Sequence, residues 1–445
     1  FGGGKTHSLL ALYHLCSGTD FSSVRDLEEY FRELGDIRPP KKVHKAVLVG
    51  NRIAPGIQHK KADGTIVNTL WGEMAWQLGG KEGYSIVKES DVIGMNPGDK
   101  LTELFKKFSP CIILIDEWVS YLRQLPDAEG MVCGTYDTHT TFAQALTEAA
   151  KTVNNALVVV SLPESDIEMG GSRGRTAAIE IGNIIGRTET AWSAATQEES
   201  FEIVTRRLFS KVTTKEQFSD RDTTARSFGD FYRNNAQEFP SETKEAKYES
   251  RIRDFYPIHP ELFDILAKRW ASIDRFQKTR GILRLMAKII NYLWENNDTS
   301  PLILSANIPF DEPGIQEEML RYLPDTWRAV IHSDVDGSNS LPRQIDSSNP
   351  NLGRYSATRR VARTLFFGSA PTFEAADSGL DLQRIKLGSI FPQESIAIFS
   401  DALRHLADKA TYVYVQNNHY WYSDKNNVTR TAEERASHIS KEKID

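Results

Sequence analysis

Apolar positions along the chain follow two rhythms. The runs Cys111-Ile112-Ile113-Leu114-Ile115 and Ala156-Leu157-Val158-Val159-Val160 have no polar interruption, which predicts short strands buried on both faces, as in a parallel sheet. Val47-Leu48-Val49-Gly50, after the basic stretch Lys41 to Lys45, predicts a further strand. Between these runs the spacing turns helical. Leu101, Leu104, Phe105 and Phe108 share one helical face ahead of the Ser109-Pro110 break, Trp71 to Leu78 predicts a helix stopping at Gly79-Gly80, and Phe142 to Val153 has helical character. Alternating strands and helices predict an α/β fold: a doubly wound parallel sheet with helices on both faces.

Downstream the pattern becomes mainly helical. Tyr256 to Leu262 opens a helix with prolines placed where helices begin, and Phe276 to Ala287 predicts another. Ser333 to Leu352, rich in Ser, Asn, Asp and Gly, predicts a mobile connection. A helix from Gln393 through Ala410 then leads to a hairpin, Tyr412 to Val415 and His419 to Tyr422, turning at Asn417-Asn418 because asparagine tolerates positive φ. Alternation puts Tyr412 and Tyr414 on one face, and Tyr420 and Tyr422 on one face of the partner strand, where cross-strand aromatic packing would hold the hairpin together. Helix plus aromatic hairpin resembles the helix and wing of a winged-helix domain. The expected organisation is a nucleotide-type domain at 1–210, a helical domain at 211–330 and a winged-helix-like domain at 331–445. Arg354, Arg359, Arg360 and Arg363 form a basic cluster that would either contact a phosphate backbone or line an exposed helix face.

Composition narrows the class. The chain has 445 residues, 54 Lys and Arg against 60 Asp and Glu, and 40% hydrophobic residues, so it is globular and has no global basic field for coating nucleic acid. Its apolar runs fall far short of the ~20 residues needed by a membrane-spanning helix. Cys16, Cys111 and Cys133 are too few and scattered for a disulfide framework, and His14 and Cys16 point to different faces of one helix, so no zinc site is expected. A reducing, cytoplasmic setting follows. The chain starts inside a motif and stops within the polar, helix-like stretch Thr431 to Asp445, as expected of a piece of a longer protein.

That opening motif carries the chemistry. Gly2, Gly3, Gly4, Lys5, Thr6 and His7 run straight into the apolar helical stretch Ser8 to Tyr13, matching the closing half of a P-loop; the opening glycine and its strand would lie before residue 1. Glycines let backbone N–H groups curl around phosphate, and the helix N-terminus adds partial positive charge. Lys5 would reach the β and γ phosphates of ATP and the Thr6 hydroxyl would ligate Mg²⁺. A plain flexible loop is the alternative. Asp116-Glu117 closes the Cys111 to Ile115 run, at the end of a parallel strand where ligands bind. Asp116 would hold Mg²⁺ through water, and Glu117 would orient or deprotonate the water that attacks the γ phosphate. Ser161, with Glu164 three residues on, ends the next strand and would sense the γ phosphate; it would otherwise simply close the strand.

These residues resemble the AAA+ division of P-loop ATPases. The resemblance implies a lid helix at Phe276 to Ala287, whose Gly-x-x-Arg pattern makes Arg284 a second sensor of nucleotide, and an arginine finger donated to a neighbouring subunit. Arg187 is the preferred finger, ahead of Arg173 and Arg175 in the glycine-rich stretch 170–175; Arg206 and Arg207 suit a lid or interface. A narrower likeness rests on Leu70 to Gly80, Ser161-Leu162-Pro163-Glu164-Ser165, Arg206-Arg207-Leu208-Phe209 and Tyr420-Trp421-Tyr422. These are similar to an uncharacterised prokaryotic ATPase family named for a domain of unknown function, whose genes sit beside DNA methyltransferases in anti-phage defence islands and which is related to the ATPases of BREX systems. The resemblance implies ATP hydrolysis coupled to remodelling or loading of a DNA-modification or defence complex. The partners it implies are a second copy of the chain, a DNA methyltransferase or other defence subunit, and DNA. A nucleotide-gated signalling switch and a non-hydrolysing scaffold are the other classes that fit.

Overall fold

The structure is a computed structural model and describes residues 4–18, 24, 27–126, 131–163, 166–187, 192, 197–273, 276, 278–372 and 379–427. Contacts divide the chain into two compact units, Gly2–Ala194 and Ala195–Asp445.

In the first unit α1 (Lys5–Leu15) and α2 (Leu27–Glu33) precede β1 (His44–Val49). The short ribbon of β2 (His59–Lys60) and β3 (Ile66–Val67) leads into α3 (Leu70–Ile93) and α4 (Lys100–Phe108). Then follow β4 (Cys111–Asp116), α5 (Trp118–Leu122), α6 (Tyr136–Thr152), β5 (Ala156–Val160), α7 (Asp166–Met169) and α8 (Ser172–Ile185). The expected strands pair in parallel, with β4 between β1 and β5: Leu114 lies opposite both Val47 and Val159. Parallel neighbours need crossovers, and the helices between the strands supply them. One face of β4, through Ile112 and Leu114, packs on Leu9 and Leu12 of α1. The other, through Ile113 and Ile115, joins a core with Met74, Leu104, Phe105 and Phe142. Burial on both faces is why the run needs no polar alternation.

The sheet's edges differ. At β1 the Gln77 side chain of α3 replaces a neighbouring strand: its Oε1 accepts from the Val47 N–H at 2.7 Å and its Nε2 donates to the Val47 carbonyl at 3.0 Å. β5 has no strand on its outer side among the described residues, and Leu157 there is half exposed. The expected helix stop at Gly79-Gly80 is instead a kink inside α3. A Cβ on Gly79 would lie 2.1 Å from the Phe108 ring, so this glycine serves the packing of α4 against α3. Near the far end of α3, the fully buried Asp91 carboxylate accepts from the N–H groups of Asn68 and Thr69, the Thr69 hydroxyl, the Asn68 amide and the Tyr84 hydroxyl.

The second unit is helical with one small sheet. It runs α9 (Gln197–Leu208), α10 (Lys215–Asn234), α11 (Ala246–Phe255), α12 (Pro260–Lys268) and α13 (Lys278–Glu295). Next come α14 (Pro313–Leu320), α15 (Trp327–Val330), α16 (Leu341–Ser348), α17 (Pro350–Gly353) and α18 (Ala357–Ser369). β6 (Leu380–Asp381), α19 (Leu382–Leu387), α20 (Ile396–Lys409), β7 (Val413–Gln416) and β8 (His419–Tyr422) complete it, with β8 central in an antiparallel sheet. One hydrophobic cluster reaches from Phe201 to Tyr422, so the expected boundary at 330 falls inside a shared core.

Two expectations need correction here. The stretch Ser333 to Leu352 is not a loose connection: it forms α16 and part of α17, and Asp334, Asp336 and Ser340 within it are buried. Its polar residues face inward to partners rather than outward to water. In the hairpin, Asn417 and Asn418 take φ of 49° and 61°, as their type allows. The aromatic pair across it, however, is Tyr414 with Trp421, stacked with ring centroids 5.8 Å apart. Tyr422 lies on the opposite, buried face, its hydroxyl donating to the Asp334 carbonyl at 2.6 Å.

No described helix is long and apolar enough to cross a membrane. Replacing Asp91 with Ala leaves a group of buried donors unpaired, so Asp91→Ala should destabilise the first unit by about 3 kcal/mol in urea unfolding followed by tryptophan fluorescence.

Candidate functional site

The polar groups meet where β4 first reaches solvent. Cys111 to Ile115 are buried, and Asp116 is the first residue of the strand with an accessible side chain. Both of its carboxylate oxygens are engaged. Oδ2 accepts from the Thr6 hydroxyl at 2.9 Å, and Oδ1 accepts from the Ser161 hydroxyl at 2.5 Å. Ser161 follows β5, tied down by its N–H to the Ile115 carbonyl at 2.9 Å, and its hydroxyl oxygen accepts the Glu117 N–H at 3.3 Å. Residues from the amino-terminal motif, the acidic pair and the end of β5 therefore share one hydrogen-bonded cluster.

The turn into α1 has the geometry its glycines suggest. Gly4 is the N-cap at φ 94°, a left-handed conformation that suits glycine, and neither a capping side chain nor an acidic residue serves the first turn. Lys5 begins the helix; its Nζ donates to the Leu162 carbonyl at 3.1 Å and pairs with Glu168 at 2.6 Å. His7 is exposed. Gly2, Gly3 and Glu164 lie outside the described residues.

Glu117 caps α5 in a left-handed conformation, φ 55°, which is strained for a residue with a side chain. Its Oε2 accepts from the Ser120 hydroxyl at 3.0 Å. Gly50, directly after β1, makes this backbone path possible: its N–H donates to the Asp116 carbonyl at 2.8 Å, and a Cβ there would lie 2.1 Å from the Glu117 carbonyl oxygen. Sequence reasoning passed over Gly50 as the end of a strand. It also missed Glu168, which no spacing rule connects to a lysine at the other end of the unit.

The expected arginines are placed differently. Arg173 and Arg175 are not in a loop but on α8, and Arg173 donates to the Leu125 carbonyl at 2.6 Å. Arg187 is exposed just past α8 and is not among the groups gathered at Asp116. Thr188 to Ala191, after it, lie outside the described residues. Arg284 belongs to the second unit, on α13, where its guanidinium is held by Glu318 at 2.6 Å and by the Tyr322 hydroxyl. The cluster around Tyr355 is largely spent on internal charge. Arg359 and Arg363 pair with the buried Asp336, and Arg360 pairs with Glu394 at 2.6 Å. Only Arg354 of that set is exposed, lying over the Tyr355 ring. Burying a carboxylate such as Asp336 is costly without such partners, so these arginines neutralise the interior rather than await a phosphate.

The hydroxyl and carboxylate oxygens of Thr6 and Asp116 are of the hard type that a divalent cation such as Mg²⁺ takes. Mg²⁺ characteristically takes one or two protein oxygens and completes its shell with phosphate and water. Thr6 and Asp116 supply adjacent oxygens of that kind, while no group of three His, Cys, Asp or Glu side chains forms a metal cage among the described residues. An alanine at position 50 would force the Glu117 turn aside. Gly50→Ala should cost about 1–3 kcal/mol in denaturant unfolding, the usual range for overpacking, and move the Glu117 carboxyl away from Ser120 in a crystal structure.

Comparison with known proteins agrees with the two-unit division. A model of the DUF499 N-terminal domain matches residues 1–178, and a model of the DUF499 second domain matches residues 195–422, starting where the second unit starts. No curated protein and no solved structure matches the chain. With the two domain models matched in order and the second alone covering more than half of the 445 residues, the chain belongs to the DUF499 family.

Proposed function

We propose that the first unit binds ATP with Mg²⁺ at the Asp116 cluster and hydrolyses it. The observation that carries this reading is the 2.9 Å contact of Thr6 with Asp116, two residues 110 positions apart whose types suit the two halves of one magnesium–triphosphate site. In this reading the N-terminus of α1 and Lys5 bind the phosphates, and Thr6 and Asp116 hold the metal. Magnesium would supply neutralisation of charge on the phosphate oxygens. Glu117, at the mouth of the cluster, takes a proton from the attacking water, and Ser161 holds Asp116 and the Glu117 backbone in register.

One feature of topology supports the AAA+ form of the reading. Among the described residues β5 has no strand on its outer side, and that edge is where the P-loop reading puts a strand running into the glycine turn. The sequence α18, β6, α19, α20, β7, β8, with β8 between β6 and β7, supports a winged-helix reading of the carboxyl-terminal part. DNA is the weaker partner on this surface. Asp401 and Asp408 offset Arg404 and Lys409 on α20, and Arg404 is already paired with Asp401. Phosphate-backbone binding draws on an excess of cations, which this helix lacks. A methyltransferase or another defence-complex subunit, with assembly into homo-oligomers, therefore stands ahead of DNA as the client, on the strength of the family resemblance.

Steady-state phosphate release with Mg-ATP tests the proposal. Lys5→Ala should weaken ATP binding about 10-fold or more, the scale of one charge-assisted contact. Glu117→Gln should keep ATP bound while turnover falls about 100-fold or more, as when a general base is lost. Equal turnover in Glu117→Gln and wild type would remove Glu117 from the reaction.

A further inference from the structure

The last two residues of α7, Glu168 and Met169, tie this short helix to its surroundings. Glu168 pairs with Lys5 at 2.6 Å. Next to it, the Met169 carbonyl accepts from Arg123 Nη1 at 3.4 Å, and Arg123 directly follows α5, the helix that Glu117 caps. Beyond α7 come Gly170 and Gly171, both at positive φ, 71° and 107°. A Cβ on Gly170 would lie 1.6 Å from Arg123 Nη1, so glycine is what allows the guanidinium to lie against the chain there. α8, after the glycines, is anchored separately through Arg173 to the Leu125 carbonyl.

We infer that Glu168 is a carboxylate latch on the phosphate cradle: Glu168 and a phosphate oxygen compete for the Lys5 ammonium, so an incoming nucleoside triphosphate displaces Glu168 from Lys5 and loosens the hold of α7 and the following Gly170-Gly171 on the cradle. The inference rests on the P-loop reading of Lys5. Its chemistry is simple exchange of one anionic acceptor for another. An ammonium has three donors, and Lys5 directs its donors to the Leu162 carbonyl and the Glu168 carboxylate. The triphosphate brings several negative charges to a place where Glu168 already contributes one, so the two anions repel as well as compete. Exchange is easy because the pair is part-exposed, at 28% for Lys5 and 42% for Glu168, where water screens and replaces the contact. Nucleotide occupancy is thereby reported to the segment that leads into α8, beside the helix carrying Glu117. This is the property a nucleotide-gated switch needs.

The test is a Mg-ATP titration of the full chain and its variants by calorimetry, joined to hydrogen exchange over residues 166–171. Glu168→Gln keeps size and hydrogen bonding but removes the charge. It should lower the Kd for Mg-ATP about 2- to 5-fold, the scale of a part-exposed ion pair. Backbone exchange in 166–171 should be faster in Glu168→Gln than in wild type, and wild type should reach that faster rate once Mg-ATP is bound. Combined with Lys5→Ala, the Glu168→Gln effect on Kd should shrink, because the contested ammonium is gone. If Lys5→Ala weakens binding while Glu168→Gln changes neither Kd nor exchange, the latch is overturned and the P-loop reading stands. If wild type binds no Mg-ATP, or Lys5→Ala leaves the Kd unchanged, the P-loop reading falls and the latch with it.

Discussion

The candidate site depends on a single carboxylate held at the end of a buried strand. Asp116 can accept from Thr6 on one oxygen and from Ser161 on the other only while β4 keeps its register with β5 and α1 stays packed on Ile112 and Leu114. A slip of one residue along β5 would turn the Asp116 carboxylate to the other face of the sheet, away from the Ser161 hydroxyl. The apolar run thus does two jobs at once. It drives the packing that orders the sheet, and it ensures that the first polar group of the strand emerges where the turn before α1 and the end of β5 converge. Gly50 completes the constraint from the other neighbour, β1, by leaving room for the Glu117 backbone.

In the second unit the governing fact is the number of carboxylates taken into the interior and the cations spent on them. Asp336 is fully buried among Arg343, Arg359 and Arg363, and Glu318 is buried beside Arg284 and Lys288. Glu261 on α12 is buried against Arg384, and burial still pushes its carboxyl up to about 7 against the pull of that arginine. Arginines committed in this way join distant elements. Arg359 and Arg363 on α18 reach Asp336 and Asp311, which flank α14 and α15. The Asp311 pairs run across the position where a domain boundary was expected, and all of these pairs subtract from the positive surface that a nucleic-acid partner would use.

What the sequence made legible, and what it did not, follows from the range of the forces involved. The three parallel strands, the buried face of α4 and the Asn417-Asn418 turn are set by periodicity and local backbone preference, and the structure has them where the pattern put them. The Thr6, Asp116 and Ser161 cluster was foreseeable because the glycine motif places Thr6 and the two apolar runs place Asp116 and Ser161 at strand ends. Ser333 to Leu352 was misread because composition cannot tell a polar residue facing water from one facing an arginine across the core. The kink at Gly79 reads as a stop in the sequence because the reason for the glycine, the Phe108 ring, lies on another helix. The hairpin pairing was misassigned for a related reason: alternation separates the faces of each strand, but the register decides which residues stand opposite, and it sets Tyr414 across from Trp421. Glu168 was invisible because its partner is 163 positions away.

The two ends of the candidate site also differ in how readily they can change. Asp116 is anchored by the buried strand behind it, and Ser161, whose hydroxyl braces it, is fixed in turn through its own backbone N–H to the Ile115 carbonyl, so this end offers an acceptor at a set position. Lys5 and Glu168 are both part-exposed, and long side chains in water lose little when they trade partners. A ligand arriving at this surface therefore meets one group that is held in place and one that yields. Preorganisation at the carboxylate favours catalysis, since donors and acceptors need not move as charge develops. Exchange at the ammonium favours signalling, since an exchanged partner has somewhere to carry the news. On the proposed reading the same few residues would serve both, because one end rests on the core of the sheet and the other on a four-residue helix.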